Sequence, residues 1–152
     1  MARKPSDQPS DRVVHAWTRL VRAQQTVLAA VEGDLKAAGF PPLAWYDVLL
    51  ELARATDGRL RPYEIEQKTL LAQYNLSRLL DRLEREGLIR RETCPDDARG
   101  QWVVVTAQGR ALQEKMWRAY APAIQRHIGD RLDEKSAATL AELLDRLLKR
   151  SS

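Results

Sequence analysis

The sequence predicts a mainly α-helical chain that carries one small β-hairpin. Three observations support this. A stretch from about Ala72 to Glu86 places Leu76, Leu79, Leu80 and Leu83 at spacings of three, one and three, which makes one apolar helix stripe. Gly87 ends that stretch, and two β-prone runs follow, Leu88 to Cys94 and Gln101 to Val105, around the turn-rich Pro95-Asp96-Asp97-Ala98-Arg99-Gly100. Long apolar-striped helices occupy both ends of the chain. From Arg59 to Thr106 the order is short helix, turn, second helix, protruding hairpin, which is a winged helix-turn-helix flanked by N- and C-terminal helices.

A chain of 152 residues is long enough for one domain with a real core. No apolar run reaches membrane-spanning length, and the basic N-terminus MARKPSDQPSDR precedes no hydrophobic segment. The expectation is a cytoplasmic protein with no membrane association. The single cysteine, Cys94, excludes an intramolecular disulfide; with His15 and His127 far apart, neither a metal site nor a cofactor is expected. Cys94 has no resolving partner and reads as inert, and His15 reads as a helix-surface residue. The chain has no Gly-rich phosphate loop and no nucleophile-base pair, so an enzyme is not expected.

In chain order, residues 1–9 are polar and proline-bearing and read as a disordered arm. Ser10 or Asp11 can cap a long first helix, whose seam runs Val14, Trp17, Val21, Gln24, Leu28, Val31, Leu35. Gly39 ends it. Pro41-Pro42 open a second helix, to about Thr56, with Trp45, Val48, Leu49 and Leu52 on one stripe and a stop at Asp57-Gly58. Arg59 to Arg61 is a minimal strand, and Pro62 starts a third helix through about Thr69. After the wing, Thr106 stands at a helix N-cap, and the fifth helix carries Leu112, Met116, Tyr120, Ile124 and Ile128, with a kink or break expected at Pro122. Asp130 to Asp133 mark a junction before a last helix with Leu140, Leu143, Leu144, Leu147 and Leu148. One domain over 10–152 is expected, with 42–106 as the winged helix-turn-helix region and 10–40 and 107–152 as helices that pack together and against a second copy.

The net charge of +4 and pI near 9.5 permit a polyanionic partner, but the charge is not concentrated in the middle stretch. There Arg59, Arg61, Lys68, Arg78, Arg82, Arg85, Arg90, Arg91 and Arg99 are balanced by Asp57, Glu64, Glu66, Asp81, Glu84, Glu86, Glu92, Asp96 and Asp97. Only the placement of individual arginines can support DNA binding. At about 100° per residue, the face opposite the leucines collects Tyr74, Ser77, Arg78, Asp81 and Arg85. The alternative is a solvated face on which Arg78, Asp81 and Arg85 pair along the helix and Arg82 pairs with Glu86.

The residues LSRLLDRLEREGLIRRE from Leu76 to Glu92, DAR at Asp97 to Arg99, VVVT, and Gly109 of TAQGR resemble the multiple antibiotic resistance regulator (MarR) family of dimeric winged-helix transcription factors, with nearly whole-chain coverage. Ala72 and Leu71 depart from the family pattern at the recognition-helix start. The resemblance implies a homodimer joined through its terminal helices, with a recognition helix in each of two successive major grooves and wings in the flanking minor grooves. Its operator would be a pseudo-palindrome of double-stranded DNA with half-sites roughly 10 bp apart.

Gln73, Tyr74, Asn75, Ser77 and Arg78 are the candidates for bases and phosphates; Asn and Gln suit adenine and Arg suits guanine. Arg99 resembles the wing arginine that enters the minor groove, Asp97 resembles its orienting acid, and Arg90 and Arg91 are candidates for phosphates. Family members often sense small aromatic or phenolic compounds. Trp17, Trp45, Trp117 and Tyr120 are the candidate ligand contacts, with Arg19 and Arg22 for a carboxylate; the alternative is that these aromatics fill the core or an interface. The function expected is a homodimeric, sequence-specific repressor released by such a ligand. A protein-interaction module that uses a winged helix without reading DNA is the alternative.

Overall fold

The computed structural model describes residues 7–70, 75–93 and 100–149. Ser10 Oγ accepts the Val13 N–H at 3.3 Å, and helix α1 runs Asp11–Ala37. Gly39 ends it in the left-handed region, at φ 83°, while the Phe40 N–H bonds back to the Leu35 carbonyl at 3.0 Å. Helix α2, Leu43–Arg54, follows the two prolines and closes into a 3₁₀ turn at Thr56–Gly58. Strand β1 is Arg59–Leu60. Helix α3, Pro62–Lys68, opens with proline at its first position, and Glu64 Oε1 accepts the Arg61 backbone N–H at 2.9 Å.

Helix α4 is Leu76–Arg85, four residues shorter at its start than the leucine periodicity predicts. Its N-cap is Asn75 at φ 56° and ψ 38°, a left-handed conformation that asparagine tolerates better than most residues. Apolar spacing does not register such a reversal, so the predicted start at Ala72 is corrected to Leu76. At the other end Gly87 does what the sequence predicts: the Leu88 N–H reaches the Leu83 carbonyl at 2.9 Å.

Strands β2, Ile89–Thr93, and β3, Gln101–Val105, complete an antiparallel sheet of order β1-β3-β2. Leu60 and Arg91 both stand opposite Val103, and Ile89 stands opposite Val105. These positions face the helices, because side chains directly opposite one another share a face. Arg59 and Arg90, opposite Val104, occupy the other face. The core joins Val48, Leu49 and Leu52 of α2, Ile65 of α3, Leu80 and Leu83 of α4, and Leu60, Ile89, Val103 and Val105 of the sheet. Burying each of these side chains contributes about 1.5–3 kcal/mol against the entropy of ordering the chain.

Thr106 caps α5, Ala107–Ile124, by accepting the Gly109 N–H at 3.0 Å, and its hydroxyl donates to the Gly87 carbonyl at 2.7 Å. The cap thereby ties α5 to the end of α4. The helix does not break at Pro122 as predicted; it stays α-helical to Ile124 and then widens into a π turn at Gln125–Gly129, where the Asp130 N–H reaches the Gln125 carbonyl at 2.7 Å. Proline removes one backbone donor, and a helix can absorb that loss without breaking. Helix α6 is Glu134–Leu148. Its cap, Asp133, accepts the Ser136 N–H at 2.7 Å, and this bond holds the carboxyl below its ordinary pKa.

The described residues form two units, divided between Gly33 and Asp34 and again between Ala123 and Ile124. The unit containing the winged sheet holds the core given above. In the other, Val31 is the one buried residue among those described. No helix of the described residues is long and apolar enough to cross a membrane.

Candidate nucleic-acid interface

Helix α4 turns Leu80 and Leu83 into the core, with Leu76 and Leu79 packed against it, and this leaves Ser77, Arg78, Asp81 and Arg85 exposed on the opposite side. Asn75 is exposed at the N-cap, beside the unsatisfied N–H groups of the first turn, where a phosphate is also favoured by the helix dipole. Gln73 and Tyr74, proposed for the same turn, lie outside the described residues, as do Cys94 and the wing-tip pair Asp97 and Arg99.

The pairing on this face differs from the simple helix-surface pattern. Arg82 meets Glu86 at 3.5 Å, as the spacing predicts. Asp81, however, is held by Arg91 of β2, whose Nη2 donates to its Oδ1 at 2.7 Å. Strand parity explains this, since Arg91 points to the helix side of the sheet. Arg90 points to the opposite face and pairs with Glu92 at 3.0 Å. The two adjacent arginines, both considered for phosphate contact, are therefore on different surfaces. Arg78 and Arg85 have no carboxylate partner among the described residues.

A second feature lies within the same unit. Tyr46, Trp117 and Tyr120 form an aromatic cluster, with Tyr46 and Tyr120 edge to face at 5.0 Å, Trp117 and Tyr120 at 5.7 Å, and Tyr46 and Trp117 stacked at 6.2 Å. Gln113 Nε2 donates to the Tyr46 hydroxyl at 3.5 Å. These residues, with Leu43, Asp47, Leu50, Arg54 and Leu70, line a cleft of about 320 Å³. Trp117 and Tyr120, both candidate ligand contacts, line this cleft. Trp45 does not line this cleft; it packs against the core and lies under the Arg82 guanidinium, 6.0 Å from its ring centroid. Trp17, Arg19 and Arg22 are exposed on α1 in the other unit, where Arg19 Nε donates to His15 Nε2 at 3.3 Å.

Sequence reasoning missed Tyr46, Asp47 and Gln113. The signal for Tyr46 and Asp47 is a second stripe on α2, Leu43, Tyr46, Asp47 and Leu50, beside the stripe of Trp45, Val48, Leu49 and Leu52; Gln113, on α5, has no such signal. A helix with two such stripes is covered on two sides. Also missed was Trp102 on the outer sheet face, with the guanidiniums of Arg59 and Arg61 at 4.4 and 4.1 Å from its ring centroid.

Residues 38–100 match the family model described as MarR family. An uncharacterized HTH-type transcriptional regulator of Bacillus cereus is 32% identical over 135 residues, covering 89% of this chain and 88% of the relative. The chain belongs to the MarR family. This MarR-family protein is accordingly a DNA-binding transcriptional regulator with a winged-helix fold. It is also similar to the uncharacterized regulator YkoM of Bacillus subtilis, 28% identical over 80% of this chain and 77% of that one. Among solved structures it resembles Sco3205, a MarR family transcriptional regulator from Streptomyces coelicolor crystallised in complex with DNA. There the TM-score is 0.83 and the identity 25%, covering 94% of this chain and 91% of that chain.

Proposed function

We propose that the protein is a homodimeric repressor that reads a pseudo-palindromic operator and is released by a small aromatic or phenolic ligand. The observation that carries the dimer is a run of apolar side chains left in solvent by a single chain. On α1, Trp17 is 64% exposed beside Val13, Val14 and Leu20; on α6, Leu143 is 48% and Leu147 67% exposed beside Leu140 and Leu148. A second copy is the natural cover for two such stripes, because monomers rarely leave contiguous apolar helix faces in water. Two copies present two α4 helices, and two-fold symmetry in the protein calls for two-fold symmetry in its site. The DNA complex of the similar Sco3205 supports the same reading.

Within each head, Asn75, Ser77 and Arg78 take base edges and nearby phosphates, and Gln73 and Tyr74 are further candidates for the same contacts; Arg90, Arg91, Asp97 and Arg99 are the candidates on the wing side. The aromatic cleft supports the ligand, since its volume suits a compound built on one ring and its walls combine flat apolar faces with a few polar groups. Release requires that the ligand prefer the geometry in which the two heads no longer match the half-sites.

Selection of bound fragments from random DNA by the purified protein, with light scattering of the free protein, tests the proposal. The expected results are a pseudo-palindrome and a mass of two chains. A single non-repeated site bound by a one-chain species overturns it. Phenol, salicylate and benzoate titrated into the complex test the release step, and affinity unmoved by any of them counts against it.

A further inference from the structure

Helix α2 carries an acid on a face otherwise built from apolar and aromatic residues. Asp47 lies between Tyr46 and Val48 and is only 5% exposed. A carboxylate withdrawn from water is unfavourable unless hydrogen-bond donors replace the water. Asp47 Oδ2 accepts the backbone N–H of Leu70 at 2.6 Å, joining residues 23 apart in sequence. Leu70 directly follows Thr69, the C-cap of α3, and precedes the Asn75 cap of α4 by five positions. The bond holds the chain just past the end of α3, the first helix of the helix-turn-helix. Its other end is rigid, because Val48, Leu49 and Leu52 of α2 are fully buried in the core.

We propose that Asp47 is a positioning residue of the DNA-reading head. By holding the Leu70 N–H, its carboxylate fixes where the chain leaves α3, five positions ahead of Asn75, and so sets the stance of Asn75, Ser77 and Arg78 toward the bases. The inference rests on the reading of α4 as the helix that meets the major groove. Phosphate contacts tolerate a displaced head, whereas base contacts do not, because only the latter depend on matching individual donor and acceptor atoms. Loss of the bond therefore lowers specificity ahead of general affinity. A residue that only supported the core would weaken binding to all duplexes together.

The experiment measures affinity for the selected operator and for a scrambled duplex, at one salt concentration, for the wild type, Asp47→Asn and Asp47→Leu. Asparagine keeps an oxygen that can accept the Leu70 N–H; leucine does not. Asp47→Asn is expected to keep the ratio of the two affinities within about threefold, and Asp47→Leu to lower it by about tenfold or more while binding the scrambled duplex nearly as the wild type does. Hydrogen exchange in the wild type should show the Leu70 amide protected, a readout independent of whether Asp47→Leu folds. An unprotected Leu70 amide, an unchanged ratio in Asp47→Leu, an equal loss on both duplexes, or an Asp47→Asn variant as impaired as Asp47→Leu overturns the proposal. A wild type that shows no preference for its selected duplex instead removes the reading of α4, and the wild-type measurement alone reveals that.

Discussion

Arg91 of β2 donates to Asp81 of α4 at 2.7 Å, tying strand to helix across ten residues of sequence. The bond is partly exposed, and such a pair contributes about 0.2–1 kcal/mol to stability. Its effect on charge placement is larger. With Asp81 occupied by a strand arginine, the carboxylate that helical spacing offers to Arg78 and Arg85 is taken. The outer face of α4 is then more positive toward a ligand than its composition indicates.

Arg78 and Arg82 should therefore behave differently. Arg78→Ala is expected to weaken operator binding by about 1–3 kcal/mol. Arg82→Ala should change it by less than about 1 kcal/mol, because Arg82 already meets Glu86 and lies over Trp45. Gel-shift titrations of both variants at fixed salt make the comparison. Equal effects would mean that the pairing pattern does not decide which arginine reaches DNA.

Arg99 follows Asp97 by two positions in the sequence that joins β2 to β3, and an arginine so placed can enter the minor groove, where the negative potential is focused. Arg99→Ala should weaken specific binding by about 1–3 kcal/mol with folding unchanged. Wild-type affinity in a folded variant would leave Arg99 as an ordinary turn residue.

The sequence made some of these features legible and hid others, for separable reasons. Periodicity and caps carry local information, so the stripe of α4, the glycine stops at Gly39 and Gly87, and the Thr106 cap could all be read directly. The Arg91–Asp81 bond depends on strand register, and the Asp47–Leu70 bond on packing of residues 23 apart. Neither leaves a local pattern. The late start of α4 turns on one left-handed residue, Asn75, which leucine spacing does not reveal. Trp45 and Trp117 read alike as helix aromatics, and only packing separates the one beneath Arg82 from the one beside the cleft.

Gly109 makes a prediction about stability. A Cβ built there would collide with the Leu88 carbonyl oxygen and come within 2.9 Å of Val105 Cγ2. The obstruction is backbone, which cannot rotate aside as a side chain does. Gly109→Ala should push α5 away from the strand ends and destabilise the protein by about 1–3 kcal/mol despite alanine's better helix propensity. Urea unfolding measures it, and a neutral or stabilising result would contradict the close approach of α5.

The exposed leucines of α6 give the most direct test of assembly. Leu143 is 48% exposed in the single chain, so an aspartate there meets mainly water and should leave the helix content of the monomer intact. In a dimer that covers this stripe, the same carboxylate would be buried against apolar side chains with no partner, an arrangement disfavoured by several kcal/mol. Leu143→Asp is therefore expected to shift the protein to one-chain mass in light scattering while circular dichroism stays close to wild type. Operator affinity should fall with it, since two linked heads bind far more tightly than either alone when both half-sites are in reach. The two measurements must move together. A Leu143→Asp variant of one-chain mass with wild-type operator affinity would place DNA recognition in the single winged unit, and one still of two-chain mass would move the interface away from this face of α6.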